Sequence, residues 1–192
     1  MSRASASPSV SVSASRYHPV LVALHWLVAL MVIGLLCVGF FVLADMPSTD
    51  PTKLNILVWH MSGGMLVLAL MIVRLIIRLR SARPPTATTG SKLLDRLAPF
   101  MHYSLYAIVI LMAASGWATG WVIRGVFQPN GEPLPKDFDL LPTFQVHSLL
   151  ATLLIILIAG HVVAGLYHQL VLKDGLFRRM WFGKRTITPA EK

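Results

Sequence analysis

The chain has 192 residues, of which 55% are hydrophobic and only 13% are charged, and its mean hydropathy is +0.67. This composition excludes an ordinary soluble domain and is typical of a protein that lies in a lipid bilayer. The net charge of +9 does not indicate nucleic acid as a partner, because the basic residues lie at the ends of apolar segments rather than in one patch.

The chain divides into a short polar segment, four long apolar runs and a basic end. Residues 1–16 are rich in Ser and Ala and lack apolar periodicity, so they are predicted to be a disordered tail. The apolar runs cover 20–44, 54–77, 97–123 and 149–172. Each exceeds the roughly 20 residues that a helix needs to cross the hydrocarbon core, and lipid offers no partners to free backbone groups. The sequence therefore predicts an all-α bundle of four transmembrane helices over 17–182, followed by a basic tail over 183–192.

The distribution of basic residues predicts the orientation of this bundle. Of the 17 Lys and Arg residues, only Lys53, Arg124 and Lys136 fall in the connections on the side away from the N-terminus. Basic residues accumulate on the cytoplasmic side of membrane proteins. Both termini are therefore predicted to be cytoplasmic.

Most of the histidines lie at membrane depth. The chain has seven, and those within or at the ends of the apolar runs are His25, His60, His102, His147 and His161. Ionisable side chains at this depth are rare and usually functional. One such histidine would more often be a hydrogen-bonded interior residue, but five together favour metal ligands.

The spacing of the histidines on the fourth helix indicates two separate sites. His147 and His161 are fourteen residues apart, which is a rotation of about 1400° or 40° short of four turns, so both face the same way, about 21 Å apart along the helix. The ligands of one metal ion lie about 2 Å from it. The pair must therefore serve two sites, one near each membrane face.

The topology provides a second histidine for each site. His25 begins the first helix at the cytoplasmic depth of His161, and His60 begins the second helix at the outer depth of His147. Two pairs of histidines across helices are what two six-coordinate haems require. Zinc and di-iron centres would need clusters of thiolates or carboxylates in the helices, which the four apolar runs lack. The sequence also has no C-x-x-C-H motif for covalent haem attachment. The pattern predicts two non-covalent haems b.

Three further residues have two interpretations each. Arg74 lies fourteen residues beyond His60 and either binds a haem propionate or a quinone-site network, or extends to the interface. His168 lies seven residues beyond His161 and either hydrogen-bonds a quinone and passes a proton to it, or is an interfacial histidine in water. His102 enters the third helix from the cytoplasmic side and either competes with His25 for a haem or is not a ligand.

Small residues accompany the histidines in the apolar runs. They are Gly63, Gly64, Gly116, Gly120, Gly160 and Gly165. They either make room for a macrocycle against the backbone or mediate ordinary packing between membrane helices.

Several segments together resemble the prokaryotic cytochrome b561 family of small four-helix dihaem cytochromes. They are LHWL in the first helix, HMSGGMLVLALMIVRLIIRL in the second, HYSLY in the third and GHVVAGLYHQLVLKDGLFRRM in the fourth. The resemblance covers about 17–182 and implies a multi-pass protein of the bacterial cell inner membrane. It implies that His25 and His161 bind the cytoplasmic-side haem, that His60 and His147 bind the other, and that His168 is associated with quinone. The residue at the position of His102 is not a ligand in this family.

Two functions are compatible with a membrane protein that holds two haems b. In the first, a donor on the periplasmic side, such as superoxide or a redox protein, reduces the outer haem, and the electrons reach ubiquinone through the inner haem. In the second, the chain is a cytochrome b membrane anchor that relays electrons for a periplasmic dehydrogenase or hydrogenase. The short outer loops favour the first function. Their three basic residues against five acidic ones argue against superoxide in particular.

Overall fold

The structure, a computed structural model, describes residues 12–189. Its long helices are α1 (Pro19–Val38), α2 (Lys53–Arg80), α3 (Lys92–Val122) and α4 (Pro142–Tyr167). Helix α1 continues as a π-helical turn over Gly39–Leu43, and α4 continues as another over His168–Leu172. All four are long and apolar enough to cross a membrane. The predicted all-α bundle of four membrane helices is therefore confirmed.

Helix α4 begins earlier than the apolar run that predicted it. It starts at Pro142, seven residues before the run, and proline suits the first turn because its missing N–H would have no helical partner there. Gln145, His147 and Ser148 lower the hydropathy of these first turns without disturbing the helical backbone. As a result, His147 lies within a regular helix.

Consecutive helices pack against one another around a shared apolar core. The buried residues of this core are Val28, Val32, Val67, Met71, Tyr106, Val109 and Leu154. Leu154 is seven residues from both His147 and His161, which places the core between the two histidine levels. Apolar side chains therefore lie between the two candidate sites, and several of them, including Val67 and Leu154, also line the outer cavity.

The two ends of the described chain meet on one side of the bundle. Strand β1 (Val12–Ala14) pairs antiparallel with β2 (Ile187–Pro189), which follows a short helix, α5 (Leu176–Arg179). Val12–Ala14 thus form a backbone-paired strand inside the segment predicted to be a disordered tail, whereas 1–11 lie outside the described residues. We call the side that carries these strands the inner end of the bundle and the opposite side the outer end.

Candidate cofactor sites

The structure brings the four predicted ligands together in the predicted pairs. At the outer end, the ring centroids of His60 on α2 and His147 on α4 are 6.3 Å apart, with ring planes at 75°. Toward the inner end, the centroids of His25 on α1 and His161 on α4 are 6.2 Å apart, with ring planes at 68°. Within residues 12–189, no group of three His, Cys, Asp or Glu side chains is placed to share a metal ion. The four predicted ligands are thus arranged in two pairs.

These separations fit one metal ion between the two rings of each pair. An imidazole nitrogen lies about 2 Å from the metal ion that it binds. The nitrogen is also about 1.2 Å from the centre of a five-membered ring whose bonds are about 1.3 to 1.4 Å long. Two imidazoles on opposite sides of one ion therefore have centroids about 6.4 Å apart, close to the 6.2 and 6.3 Å observed.

His102 does not meet this distance requirement. Its ring centroid lies 5.3 Å from that of His161, about 1 Å less than an intervening ion needs. Its Nδ1 lies 2.7 Å from the carbonyl oxygen of Ala98, one turn earlier on α3. Between the two candidates for pairing with His161, the geometry favours His25.

Hydrogen bonds determine which nitrogen of His147 is free to bind a metal ion. Its Nδ1 lies 3.1 Å from the carbonyl oxygen of Met112 and 3.1 Å from the hydroxyl oxygen of Ser115, both on α3. A carbonyl only accepts, so Nδ1 carries the proton and donates it. The lone pair is then on Nε2, the usual arrangement of a metal-binding histidine with a second partner.

Glycines leave the space that the outer histidine rings occupy. A Cβ on Gly116 would lie 3.1 Å from Cε1 of His147, and a Cβ on Gly39 would lie 3.5 Å from Cε1 of His60. The two histidines line a cavity of about 500 Å³, together with Gly64, Gly116 and other residues. His60 Nδ1 is buried and has no hydrogen-bond partner in the described chain. This combination of space, free nitrogens and spacing fits a large metal-containing cofactor.

The other predicted glycines differ in their surroundings. A Cβ would meet Leu35 at Gly63, Met61 at Gly120 and Met101 at Gly160. These are contacts with side chains of neighbouring helices, which is the ordinary packing interpretation, and Gly120 also lines the cavity. Gly165 has no atom within 4 Å of such a Cβ.

Arg74 lies beside the inner pair instead of extending to the interface. Its Nη1 donates to the hydroxyl of Tyr106 at 2.5 Å, and its Nη2 lies 3.4 Å from Nδ1 of His25. Its buried Nε has no partner in the described part of the chain. A guanidinium can only donate, so in this contact the proton of a neutral His25 is on Nε2.

His168 is buried rather than surrounded by water. It begins the π-helical turn after α4, is 8% exposed, and its Nδ1 lies 2.6 Å from Oδ2 of Asp174. Partial burial alone would raise the pKa of the Asp174 carboxyl, but hydrogen bonds from His168 and from the Leu176 amide lower that pKa overall. The carboxylate therefore accepts from Nδ1–H, and Nε2 remains free to exchange a proton. Asp174 was not among the residues predicted from the sequence.

Charged residues lie only at the outer end of the cavity lining. They are Asp45, Lys53, Lys136, Asp137 and Asp139. Lys53 is 7% exposed, whereas the other four are exposed. The third basic residue of this side, Arg124, donates instead to the carbonyl of Trp121 and lies over its ring.

Comparison with known proteins gives matches along nearly the whole chain. The family model described as prokaryotic cytochrome b561 matches residues 16–183. The chain is 31% identical to the probable superoxide oxidase CybB of Yersinia pestis, over 88% of this chain and 98% of that protein. It is 27% identical to cytochrome b561 homolog 1 of Escherichia coli strain K12, over 86% of this chain and 97% of that protein.

Proposed function

The chain belongs to the prokaryotic cytochrome b561 family, and we propose that it holds two haems b and transfers electrons from a donor at the outer end to ubiquinone at the inner end. Family membership makes it an integral membrane cytochrome b of electron transport. The finer proposal is carried by the two histidine pairs, His25 with His161 and His60 with His147, whose separations of 6.2 and 6.3 Å each suit one iron. Haem iron, when bound, supplies one-electron redox chemistry tuned by its axial ligands and surroundings.

At the outer site, the role of the chain is to orient the ligands. Met112 and Ser115 hold Nδ1–H of His147, which leaves Nε2 as the nitrogen that would bind iron. Gly116 lets the ring lie against α3. Residues that fix the second nitrogen of a ligating histidine hold its ring orientation and raise its basicity.

At the inner site, the partner of Arg74 depends on whether His25 binds iron. If Nε2 of His25 binds iron, the ring proton is on Nδ1, and Nδ1–H and Nη2 of Arg74 would then be two donors facing each other. Arg74 would need an acceptor instead, and its Nε already lacks one. A haem propionate meets this need because guanidinium binds carboxylate through two parallel hydrogen bonds.

His168 and Asp174 are the proposed proton-handling pair at the quinone. Reduction of ubiquinone to ubiquinol takes two electrons and two protons, so two superoxide anions would each lose one electron and leave as O₂. His168 lies on the ligand-bearing helix, seven residues beyond His161. With Nδ1–H held by the Asp174 carboxylate, Nε2 of His168 is the nitrogen that would hydrogen-bond a quinone carbonyl and pass a proton.

The proposed orientation follows from the positive-inside rule, with the inner end in the cytoplasm of a bacterium and the outer end in the periplasm. The strand pair that joins both ends of the described chain requires them to share one side. Under this orientation, electrons enter from the periplasm, and the protons for quinone reduction come from the cytoplasmic side.

For the donor we propose superoxide, the substrate named for the Yersinia pestis relative. Lys53 and Lys136 line the outer end of the cavity, where their positive charges favour binding of an anion. Three exposed aspartates line the same end of the cavity. These aspartates favour a second candidate, a periplasmic redox protein with a basic surface that uses the chain as its membrane anchor. A protein donor would be attracted by the same acidic residues that repel a small anion.

Stopped-flow reduction of the purified protein by superoxide tests the proposed function. We expect rapid reduction of the haem absorbance by superoxide and rapid reoxidation when ubiquinone is added. If superoxide does not reduce the protein faster than its spontaneous dismutation consumes it, whereas a protein donor does, the anchor function replaces the proposal.

The same experiment tests the proton-handling pair. Replacing His168 with leucine should leave reduction by the outer donor unchanged but slow reoxidation by ubiquinone roughly 100-fold, the low end of what a positioned acid or base contributes. Asp174→Asn should slow it less, because asparagine still accepts from Nδ1–H but has no negative charge. His18→Leu removes the histidine that caps the N-terminus of α1 at the same membrane face and should not change the rate of reoxidation. Reoxidation of the His168 variant at the parental rate would place the quinone elsewhere.

A further inference from the structure

Lys53 is a buried cation at the outer end of the bundle. It is the first residue of α2 and is 7% exposed. Its Nζ donates to the carbonyl of Met46 at 2.5 Å and lies 5.4 Å from the ring centroid of Phe138. Across residues 12–189, no carboxylate oxygen lies within 4.0 Å of it. A buried ammonium without an anion carries a large desolvation cost, so its position calls for an anionic partner.

Lys53 and His60 lie on the same face of α2 and line the same cavity. They are seven residues apart, which is about 20° short of two turns and places Lys53 about 10.5 Å closer to the outer end. Nζ of Lys53 therefore lies between the proposed iron-binding nitrogens and the outer surface.

Among the charged residues of the cavity, Lys53 is the one shielded from solvent. Asp45, Lys136, Asp137 and Asp139 are exposed, so water and salt screen their charges. The lining around His60 and His147 is otherwise apolar or weakly polar. For an anionic group that lies in the cavity near His60 and His147, Lys53 is therefore the charged residue whose attraction is not screened by solvent.

We propose that Lys53 binds a propionate carboxylate of the haem held by His60 and His147. This inference rests on the proposed function, because that function is what places a haem in the cavity. The macrocycle is apolar apart from its iron and its two propionates, and its apolar part suits the apolar lining. The carboxylate supplies the anion that Lys53 lacks, and the ion pair neutralises a charge next to the outer iron.

The test is a redox titration of the purified full chain carrying Lys53→Gln, with haem content measured on the same sample. Glutamine keeps a donor for the Met46 carbonyl but removes the charge. The midpoint potential assigned to the outer haem should fall, because an uncompensated carboxylate disfavours the added electron, and the other potential should stay unchanged. The shift should persist at high salt because the pair is buried. Lys53→Arg should restore the parental value.

Lys136→Gln is the matched control. It also removes one positive charge from the outer end of the cavity, but at an exposed position. It should shift the potential less than Lys53→Gln, and by an amount that salt abolishes. Loss of the outer haem from Lys53→Gln but not from Lys53→Arg would also support the propionate contact. Loss from both variants would mean that Lys53 serves the fold instead.

Two other results separate the possible failures. If Lys53→Gln keeps both haems and both potentials but is reduced more slowly by superoxide, Lys53 receives the donor anion and the propionate assignment is wrong. If the parent protein itself lacks a haem that depends on His60, the proposed function fails at the outer site, and the role of Lys53 fails with it.

Discussion

Replacing His147 with alanine should remove one of two haems b and leave the other in place. The haem content should fall from about two to about one per chain, because a six-coordinate haem needs an imidazole on each side of its iron. His147 is one of the two imidazoles at the outer site, 6.3 Å from His60 between ring centroids. Pyridine haemochrome assay gives the content, and low-temperature optical spectra identify the missing component.

The other histidines provide the internal controls for this experiment. His60→Ala should remove the same spectral component as His147→Ala, whereas His25→Ala and His161→Ala should both remove the second component. His102→Ala should keep both haems, because the 5.3 Å between the centroids of His102 and His161 is too short for an ion. If His102→Ala removed a haem and His25→Ala did not, the inner ligand would come from α3 instead of α1.

Replacing Gly116 with leucine should also abolish the outer haem without touching a ligand. A Cβ alone would lie 3.1 Å from Cε1 and 3.3 Å from Nδ1 of His147, and leucine adds three more carbons in that direction. The ring would have to leave its hydrogen bond to the Met112 carbonyl, which sets the direction of Nε2. Overpacking of this kind typically lowers the free energy of unfolding by about 1 to 3 kcal/mol. The bundle should still fold at this cost, whereas the outer site should no longer hold its haem.

Gly34→Leu is the matched control for this variant. Gly34 lies on α1, is exposed, and has no atom within 4 Å of a Cβ built on it. This control should retain both haems, and Gly116→Leu should retain the inner one, which would show that the bundle still folds. A Gly116→Leu protein with two haems and parental spectra would mean that the His147 ring does not lie against α3 in the loaded protein.

The bundle could be predicted from the sequence because its evidence is local. An apolar run longer than the hydrocarbon core leaves a helix as the one way to satisfy its backbone, and fourteen-residue spacing puts His147 and His161 on one face whatever the neighbouring helices do. Alternating helix directions then assign His25 and His60 to opposite depths. The structure agrees with this geometry, whereas the ligand roles stay predictions.

Other parts of the site depend on contacts that have no local signature. The pairing of Asp174 with His168 arises where α4 changes to a π-helical turn and Lys173 adopts a left-handed conformation, and the hydropathy pattern contains no sign of either. The contact of Ser115 with His147 and the approach of His102 to His161 depend on how α3 is rotated against α4. Periodicity places a residue on a face but does not determine which neighbour that face meets.

The strand pair at the inner end escaped prediction for a related reason. Val12–Ala14 and Ile187–Pro189 are three residues each, too short for an alternating pattern, and most of the chain separates them. Arg16 helps to hold the junction by donating to the carbonyls of Arg178, Trp181 and Phe182. Only the folded bundle brings these segments together.

If each histidine pair holds one haem, the haem content of the purified parent protein will show it. Pyridine haemochrome assay, with protein determined by quantitative amino-acid analysis, should give about two haems b per chain, as two bis-histidine sites require. The reduced protein should also titrate as two components with separate midpoint potentials. A content of one haem per chain in fully loaded protein, with a single redox component, would contradict the paired scheme and leave two of the four histidines without the role assigned to them.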